Sequence, residues 1–341
     1  MVGEGLPSPF CLAGRMLWIE VVSGWGTSVG RKSERLVVAQ RNGSKQIALV
    51  HLDHLIVEGA GVALSSDVVA KCVESGIPIT FVDGIGRPYA SLLPSLGHGS
   101  AVVRSRQHQA RLNKRSKELG REILRDKCEN QARVLRYFAK NRRTRDPGCY
   151  SALRFAERGM ARSLARFDEG DAISLEAQIA STYWAAVRIL LPVDLGFELR
   201  EHRGTQNAAN AALNYGYGIL QTLCLQACVL AGLEPFAGFV HVDRSGRQSM
   251  VLDLMEPFRP SVVDRPVLGM FGKGWKPKLG EDGYLAKPDK ERVRNAILGR
   301  LEVRERYSGA SRKLRNIVQM YARDLARELG GSPHVPYRQS W

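Results

Sequence analysis

A histidine and two carboxylates lie close together in the segment HVDRSGRQSMVLDLMEPFRP, residues 241–260. His241 precedes a basic turn, and Asp253 and Glu256 follow the turn three residues apart, a spacing that places both acids on one helical face. A histidine and carboxylates that converge, with positions left open to solvent, suit Mg²⁺ or Mn²⁺, and the nitrogen ligand makes Mn²⁺ easier to accept than an all-oxygen site would. A solvated helix face and a hydrogen-bonded histidine are the alternatives that this spacing leaves open.

A third acid, Glu176, lies in a stretch with few charges, SLEAQIASTYWAAVRILL, residues 174–191. Apolar residues at helical spacing predict a core helix here, with Ser174 as its N-cap. A buried carboxylate needs a charged or hydrogen-bonding partner, so Glu176 is a candidate site residue. A glutamate on the exposed face of the helix is the alternative.

Elements of two kinds must position these residues. Residues 16–93 contain short β-rich runs separated by turns, with one helix over residues 65–76 that ends at Gly76. A stretch rich in Gly, Pro and Ser follows, after which the apolar spacing becomes helical. We predict an α+β chain with a small N-terminal β-rich domain (1–93), a linker (94–100) and a larger all-α C-terminal catalytic domain (101–341).

The individual elements follow from the same patterns. The predicted strands cover residues 17–22, 35–40, 46–52, 54–59, 77–83 and 89–93. The predicted helices of the C-terminal domain cover residues 103–140, a segment reaching Phe167, then 174–191, 210–233, 289–303 and 308–329, before a polar tail. His51 and His54 lie in an alternating strand pattern, which favours a structural role over metal binding.

The composition indicates an anionic partner and argues against a disulfide-rich or membrane-spanning protein. The 50 Lys and Arg residues against 34 Asp and Glu give a formal net charge of +16, which attracts phosphate-rich molecules. Nucleic acid is therefore the first partner to test, with solubility as the alternative role of the charge. Six cysteines without a CxxC pair predict buried, reduced thiols. There is no targeting segment or long apolar run, so we expect no membrane association and a cytoplasmic location.

A longer pattern surrounds the candidate site. Residues 213–265 resemble the core motif of the CRISPR-associated adaptation integrase family, the first-numbered Cas proteins. The matching blocks are Asn210 to Tyr217, Gly232 to Phe236, Gly238 to His241 and Leu252 to Pro260. The family's separate glutamate helix resembles Glu176 with Ile179, Ala180, Tyr183 and Trp184, although the small residue follows one position late. Residues 75–94 resemble the family's strand-turn-strand, and departures are confined to the first fifteen residues, residues 265–290 and the tail.

The resemblance implies a metal-dependent endonuclease and integrase of prokaryotic antiviral defense, which joins the 3′-OH ends of captured foreign DNA into the CRISPR repeat array by transesterification. It implies Glu176, His241 and Glu256 as ligands of Mg²⁺ or Mn²⁺, with Asp253 supporting the site or a second ion. The implied partners are double-stranded DNA as spacer precursor and repeat, a second copy in a homodimer, and the small dimeric second-numbered Cas protein in a heterohexameric complex.

The DNA contacts are predicted from position, around the site and on the early helix. The predicted contacts are Arg104, Arg106, Arg111, Lys114, Arg142, Arg143, Arg247 and Arg259. Two rival functions remain: a transposon-borne integrase of the same fold, and a metal-free scaffold that binds nucleic acid. A phosphatase or kinase acting on small molecules is disfavoured because the chain has no Walker-type glycine-rich loop.

Overall fold

The structure, a computed structural model, describes residues 19–84, 86–92, 101–201 and 205–340. These residues form two units, one with residues 19–84 and 88–92 and another with residues 86–87, 101–201 and 205–340. The first is β-rich and the second mostly helical, which confirms the predicted fold class. The predicted linker, residues 94–100, lies outside the described residues, as does Cys11. The five described cysteines are buried and free, as predicted.

Two four-stranded sheets build the first unit. Its strands are β1 (Ile19–Ser23), β2 (Thr27–Lys32), β3 (Arg35–Gln40), β4 (Gly43–Ala48), β5 (His54–Glu58), β6 (Val62–Leu64), β7 (Ile79–Val82) and β8 (Pro88–Leu92). The sheet orders are β1-β5-β7-β8 and β4-β3-β2-β6. The sequence did not predict β2 or β6, and the run predicted at 46–52 leaves the strand at Ala48 for a 3-10 turn.

The core of the first unit contains apolar side chains from both sheets and from α1 (Ser66–Glu74), among them Leu36, Leu55 and Val68. His54 is buried in this unit, with Nε2 2.9 Å from the hydroxyl of Thr80. Burial lowers the pKa of His54 to about 3, so its imidazole is neutral. These contacts agree with the structural role predicted for His54.

The described residues of the second unit form nine α-helices and one β-hairpin. The helices of the second unit are α2 (Ala101–Arg111), α3 (Arg115–Lys140), α4 (Pro147–Ala165), α5 (Ala172–Leu190), α6 (Ala208–Leu230), α7 (Ser249–Met255), α8 (Arg265–Phe271), α9 (Lys287–Glu302) and α10 (Leu314–Glu328). Within the described part of the chain, no helix combines the length and apolar character needed to cross a bilayer.

The second unit is not entirely helical, which corrects one expectation. The strands β9 (Arg304–Tyr307) and β10 (Ala310–Lys313) form an antiparallel hairpin where the helix predicted at 308–329 would begin. The turn residues Ser308 and Gly309 have φ values of 48° and 80°. Two consecutive positive φ values are the geometry that a two-residue hairpin turn requires. Helix α10 therefore begins six residues later than predicted, at Leu314.

Two helix ends also differ from prediction. The segment 103–140 forms two helices, α2 and α3, separated at Leu112–Lys114. The N-cap of α5 is Asp171 rather than Ser174, because the Asp171 carboxylate accepts hydrogen bonds from the backbone N–H and the hydroxyl of Ser174. Asp171 is thus the capping residue, and Ser174 supplies both hydrogen-bond donors.

The chain's last described residues, predicted as a polar tail, pack against α3. The buried Asp126 carboxylate accepts hydrogen bonds from the Tyr321 hydroxyl at 3.0 Å and the Tyr337 backbone N–H at 3.1 Å, and it pairs with Arg338. The ring of His334 lies between two acids, with Nε2 3.3 Å from Asp126 and Nδ1 2.9 Å from Glu328. Aromatic and charged contacts thus fix the tail on the helix.

We expect the stability of the chain to fall as the pH rises from about 6.5 to 9. Burial alone would lower the pKa of His334, but its hydrogen bonds with Asp126 and Glu328 raise the pKa to about 9. A folded-state pKa above the unfolded value stabilises below the unfolded pKa, and this contribution disappears as the pH passes through the folded pKa. The loss should be at most about 3 kcal/mol, since one pKa unit corresponds to about 1.4 kcal/mol. Urea unfolding at pH 6 and pH 9.5 measures it.

The matched control for this prediction is His334→Gln, which keeps polar contacts but does not titrate. The variant should lose most of the stability difference between the two pH values. An unchanged difference in the variant would assign the pH dependence to other groups.

Candidate active site

Glu256 lies where the winding of the chain changes. Helix α7 ends at Met255, residues 256–258 form a 3-10 turn, and residues 259–264 form a π-helical turn. Pro257 and Pro260 have no backbone N–H to give to a regular α-helix, which accounts for the change at this point. The side chain of Glu256 is 4% exposed, so its carboxylate needs charged partners.

Lys127 joins Glu256 to Glu176. Its Nζ lies 2.6 Å from Glu256 Oε2 and 2.7 Å from Glu176 Oε1. The three side chains come from α3, α5 and the end of α7, so three separate segments meet at one nitrogen atom. Burial alone would lower the pKa of Lys127, but the two carboxylates raise it above its usual value. Glu176 therefore has the partner that its place in a charge-poor helix predicts.

Arg259 contacts the second oxygen of Glu256. Its Nε lies 2.9 Å from Glu256 Oε1, and its guanidinium carbon lies 4.8 Å from the centre of the Tyr217 ring. Burial alone would raise the pKa of Glu256, but Arg259 and Lys127 outweigh burial and lower the pKa to about 2. Glu256 is therefore ionised at neutral pH.

His241 lies between Asp253 and Glu256. Its Nδ1 is 2.5 Å from Asp253 Oδ1, and its Nε2 is 3.8 Å from Glu256 Oε1. Asp253 is fully buried and also accepts backbone N–H bonds from Phe239, Val240 and His241, at 2.5, 2.9 and 3.0 Å. Because the Asp253 carboxylate acts only as an acceptor in its other hydrogen bonds, the neutral form of the His241 ring carries its proton on Nδ1. The lone pair of Nε2 is then directed to the side where Glu256 lies.

Gly238 allows this loop to pass close to Asp253. A Cβ at Gly238 would lie 2.8 Å from Asp253 Oδ2 and 2.8 Å from Ser249 Cβ. Both distances are shorter than carbon and oxygen atoms tolerate without displacement. The glycine three residues before His241 is therefore required for the contact between the loop and Asp253.

Asp264 supports the site from behind. It accepts hydrogen bonds from the hydroxyls of Tyr183 at 2.9 Å and Tyr217 at 2.5 Å. Burial raises the pKa of Asp264 to about 6, although both hydrogen bonds act in the opposite direction. Because Tyr217 also contacts Arg259, these bonds help to hold the guanidinium against Glu256. Tyr215 and Tyr217 are buried core residues of α6, rather than exposed surfaces for stacking a base.

The residues that could hold a divalent cation are Glu176, His241 and Glu256. Within the residues described, no group of three or more His, Cys, Asp or Glu side chains is arranged to hold a metal ion as it stands, and the Lys127 ammonium lies between the two glutamates. The chemistry of the donor set nevertheless fits Mg²⁺ or Mn²⁺, since two carboxylates reach a common atom and one imidazole nitrogen beside them has an available lone pair. Asp253 faces the loop and the ring of His241, which makes it a positioning residue in this arrangement.

A comparison with sequence models of known families identifies the family of this chain. The sequence model of the family described as CRISPR associated protein Cas1 matches residues 21–292. The chain belongs to the Cas1 family. The matched region includes all four candidate residues of the site and the whole β-rich unit from residue 21 onward.

Relatives in the Cas1 family cover nearly the whole chain. A CRISPR-associated endonuclease Cas1 of Archaeoglobus fulgidus is 30% identical over 347 residues, which cover 94% of this chain and 99% of the relative. A CRISPR-associated endonuclease Cas1 of Francisella tularensis subsp. novicida is 31% identical over 323 residues, again with 94% and 99% coverage. The resemblance found in the sequence motifs is therefore confirmed at the level of the family.

Solved structures share the fold of this Cas1-family chain. A casposase bound to its integration product superposes with a TM-score of 0.79 at 18% identity, covering 94% of each chain. A Cas1 protein from Thermotoga maritima gives a TM-score of 0.75 at 20% identity, covering 95% of this chain and 100% of the other. A Cas6-RT-Cas1–Cas2 complex gives 0.72 at 16% identity, with 93% of this chain covering 35% of the other.

Several of the basic residues predicted to contact DNA bind the protein itself. Arg111 donates a hydrogen bond to the Gly238 carbonyl at 3.0 Å and pairs with Asp243, so it fixes the loop that carries His241. Arg104 Nε lies 3.9 Å from Glu234 Oε2, and Arg259 contacts Glu256. The other predicted residues lie exposed or half-buried at the surface: Arg106, Lys114, Arg142, Arg143 and Arg247. Their contact with DNA stays a prediction.

Lys127 is the site residue that sequence reasoning missed. It lies in a helix that carries many charged residues, so its charge alone does not distinguish it. The signal in the sequence is the position of Lys127, directly before Cys128 and three residues after Leu124, both of which are buried. Helical spacing places Lys127 beside this buried face, where a lysine needs a partner.

Proposed function

We propose that this chain is a divalent-metal-dependent DNA endonuclease and integrase of CRISPR adaptation. It would join the 3′-OH ends of captured DNA to the CRISPR repeat in the prokaryotic cytoplasm. The observation that carries the proposal is that Glu176 and Glu256 contact one nitrogen atom of Lys127 while His241 Nε2 lies 3.8 Å from the other oxygen of Glu256. The family membership and the names of the relatives, CRISPR-associated endonucleases, support it.

Each residue of the site has a distinct role in this proposal. Glu176, Glu256 and His241 Nε2 would hold Mg²⁺ or Mn²⁺, and Asp253 would fix the orientation of His241 through its contact with Nδ1. A bound divalent cation neutralises charge on a phosphate and lowers the pKa of an attacking hydroxyl. Arg259 keeps Glu256 ionised and oriented, as its 2.9 Å contact indicates.

The joining reaction is balanced without any other reagent. The 3′-oxygen of the captured strand forms a bond to the phosphorus of the repeat, and the bond between that phosphorus and the leaving 3′-oxygen breaks. The attacking hydroxyl loses one proton and the leaving oxygen gains one. With water as the nucleophile, the same exchange cuts the strand. The chain needs no covalent intermediate, and its described cysteines are buried away from such a role.

The proposed partners are double-stranded DNA, a second copy of the chain and the small Cas2 protein in a heterohexameric complex. The formal net charge of +16 supports the DNA partner. The shared fold with the Cas1 part of a Cas6-RT-Cas1–Cas2 complex supports the Cas2 partner. The homodimer follows from the family alone.

A transposon-borne integrase is the second candidate, and the fold similarity to a casposase favours it. Both functions use the same joining chemistry, so the site does not separate them. The relatives with 30% and 31% identity over 94% of the chain are named CRISPR-associated endonucleases, which favours the CRISPR function.

The test is the joining of a short labelled DNA duplex to a supercoiled plasmid that carries a CRISPR repeat. We expect a joined product with Mn²⁺ or Mg²⁺ that disappears with a chelator and increases with the Cas2 partner. His241→Ala should give no product yet, with divalent metal chelated from both proteins, bind the duplex within about threefold of the wild type, since phosphate contacts dominate affinity.

Three outcomes would contradict the proposal or redirect it. If His241→Ala lost DNA binding and joining to the same extent, the proposed role of the histidine as a metal ligand would be contradicted. Tight binding without any product in the wild type would favour the metal-free scaffold. Joining that requires long element ends and ignores the Cas2 partner would favour the transposon-borne integrase.

A further inference from the structure

The position of Lys127 has a consequence for the order in which ligands bind. Its ammonium lies within 2.7 Å of one oxygen of Glu176 and one oxygen of Glu256, and its side chain is 17% exposed. An ammonium this close to two carboxylates holds them together in the absence of any other cation. The ammonium also occupies the position between the two carboxylates that a metal ion bound to both would take.

The remaining oxygen of Glu256 is engaged as well, because Arg259 Nε lies 2.9 Å from Oε1. Both oxygens of this glutamate therefore already contact a positive group. A divalent cation that binds Glu176 and Glu256 must take oxygens from Lys127, and separating a partly buried ion pair costs energy. Metal affinity in the free protein should be correspondingly low.

The net charge of the site changes sign when a divalent cation enters. Glu176, Asp253 and Glu256 carry three negative charges, and Lys127 and Arg259 carry two positive ones, so these groups have a net charge of −1. A divalent cation brings the net charge to +1, with Lys127 deprived of its carboxylates. A DNA backbone phosphate brings one negative charge and two non-bridging oxygens that can accept hydrogen bonds from the released ammonium.

We infer that Lys127 is an internal cation that competes with the metal ion and so couples metal binding to DNA binding. In the free protein it keeps the two glutamates paired, and in the DNA complex it gives them up to the metal and pairs with a backbone phosphate. The coupling is reciprocal, so the metal also raises the affinity for DNA. This inference rests on the proposed function, because it takes Glu176 and Glu256 as metal ligands.

The experiment measures the dissociation constant of Mn²⁺ from the electron paramagnetic resonance signal of free Mn²⁺. The wild type is measured alone and with a DNA duplex whose 3′ ends are dideoxy-terminated, so that the DNA has no 3′-OH to join. We expect the DNA to tighten Mn²⁺ binding at least about tenfold, within the usual range of coupling between two sites. Equal Mn²⁺ affinity with and without DNA would overturn the inference without any variant.

The deciding variant is Lys127→Met, which removes the ammonium. It should bind Mn²⁺ at least about tenfold more tightly than the wild type in the absence of DNA, and DNA should add little further affinity. Lys127→Gln retains a hydrogen-bond donor for the two glutamates and serves if the methionine variant does not fold. The matched control is Lys117→Met, which removes the same charge from an exposed position of α3 and should behave as the wild type.

The outcomes separate this inference from the proposed function. If wild type and both Lys127 variants bind Mn²⁺ equally, or the variants bind it more weakly, the metal site survives and the competition is refuted. If none of the proteins binds Mn²⁺, even with DNA present, the proposed metal site itself is refuted.

Discussion

Replacing Glu256 by glutamine should reduce DNA joining at least about 10²–10³-fold, the range observed when one electrostatic contact to a reacting centre is lost. The change keeps the shape of the side chain but removes the charge that balances Lys127 and Arg259. Arg259 then faces a neutral amide, and Lys127 retains only the carboxylate of Glu176. A gel assay of joined product under saturating Mn²⁺ measures the loss.

Stability must be measured with the same variant, because Glu256 is 4% exposed and breaking a buried pair costs about 3–5 kcal/mol. Glu176→Gln provides a second variant at a site that is 18% exposed, where the same loss of joining should come with a smaller loss of stability. The control is Glu118→Gln, which removes one exposed charge from α3. Joining within threefold of wild type in both Glu176→Gln and Glu256→Gln, about 0.6 kcal/mol, would contradict the assignment of the site.

Replacing Asp253 by alanine should lower the free energy of unfolding by about 3–5 kcal/mol, because it leaves several buried donors without an acceptor. Three backbone N–H groups of the loop and Nδ1 of His241 all donate to this carboxylate. His241→Ala should abolish joining with a much smaller loss of stability, since its side chain is 21% exposed. Denaturant unfolding of the two variants measures the contrast.

A second measurement separates positioning by Asp253 from a purely structural role. Asp253→Asn keeps the volume and some of the loop contacts, and we expect it to weaken Mn²⁺ binding about 10–100-fold, as loss of the partner of a metal-binding histidine does. Asp67→Asn is the control, because Asp67 lies on α1 of the first unit and its side chain is 64% exposed. A stable Asp253→Asn protein with unchanged Mn²⁺ affinity would contradict the positioning role.

The parts of the site that could be predicted from the sequence are those within one segment or one motif. His241, Asp253 and Glu256 lie within sixteen residues, and their spacing across a turn and a short helix indicated convergence. Glu176 was identified by its resemblance to the family's glutamate helix. The structure brings all four together, although their roles in metal binding and catalysis remain proposals.

The rest depends on contacts between distant segments, which residue spacing does not encode. Lys127 reaches Glu176 and Glu256 from a helix that is separate in sequence from both. The tail was predicted only to be polar, yet Tyr337 is fully buried because α3 and β9 supply its partners. In contrast, the hairpin had a local signal in the Ser308–Gly309 dipeptide, which helical spacing in the flanking residues obscured.

Helix α3 contacts both the tail and the candidate site through residues that lie within five positions of one another. Asp126 binds the tail, Lys127 binds the two glutamates, and Asn130 Nδ2 donates to the carbonyl of Pro257 at 2.9 Å and to that of Tyr337 at 3.0 Å. Inserting or deleting one residue before Asp126 would rotate these side chains by about 100° and break every one of these contacts. The length of α3 between Arg115 and Asn130 should therefore vary far less among functional homologues than the length of the exposed turn at 141–146.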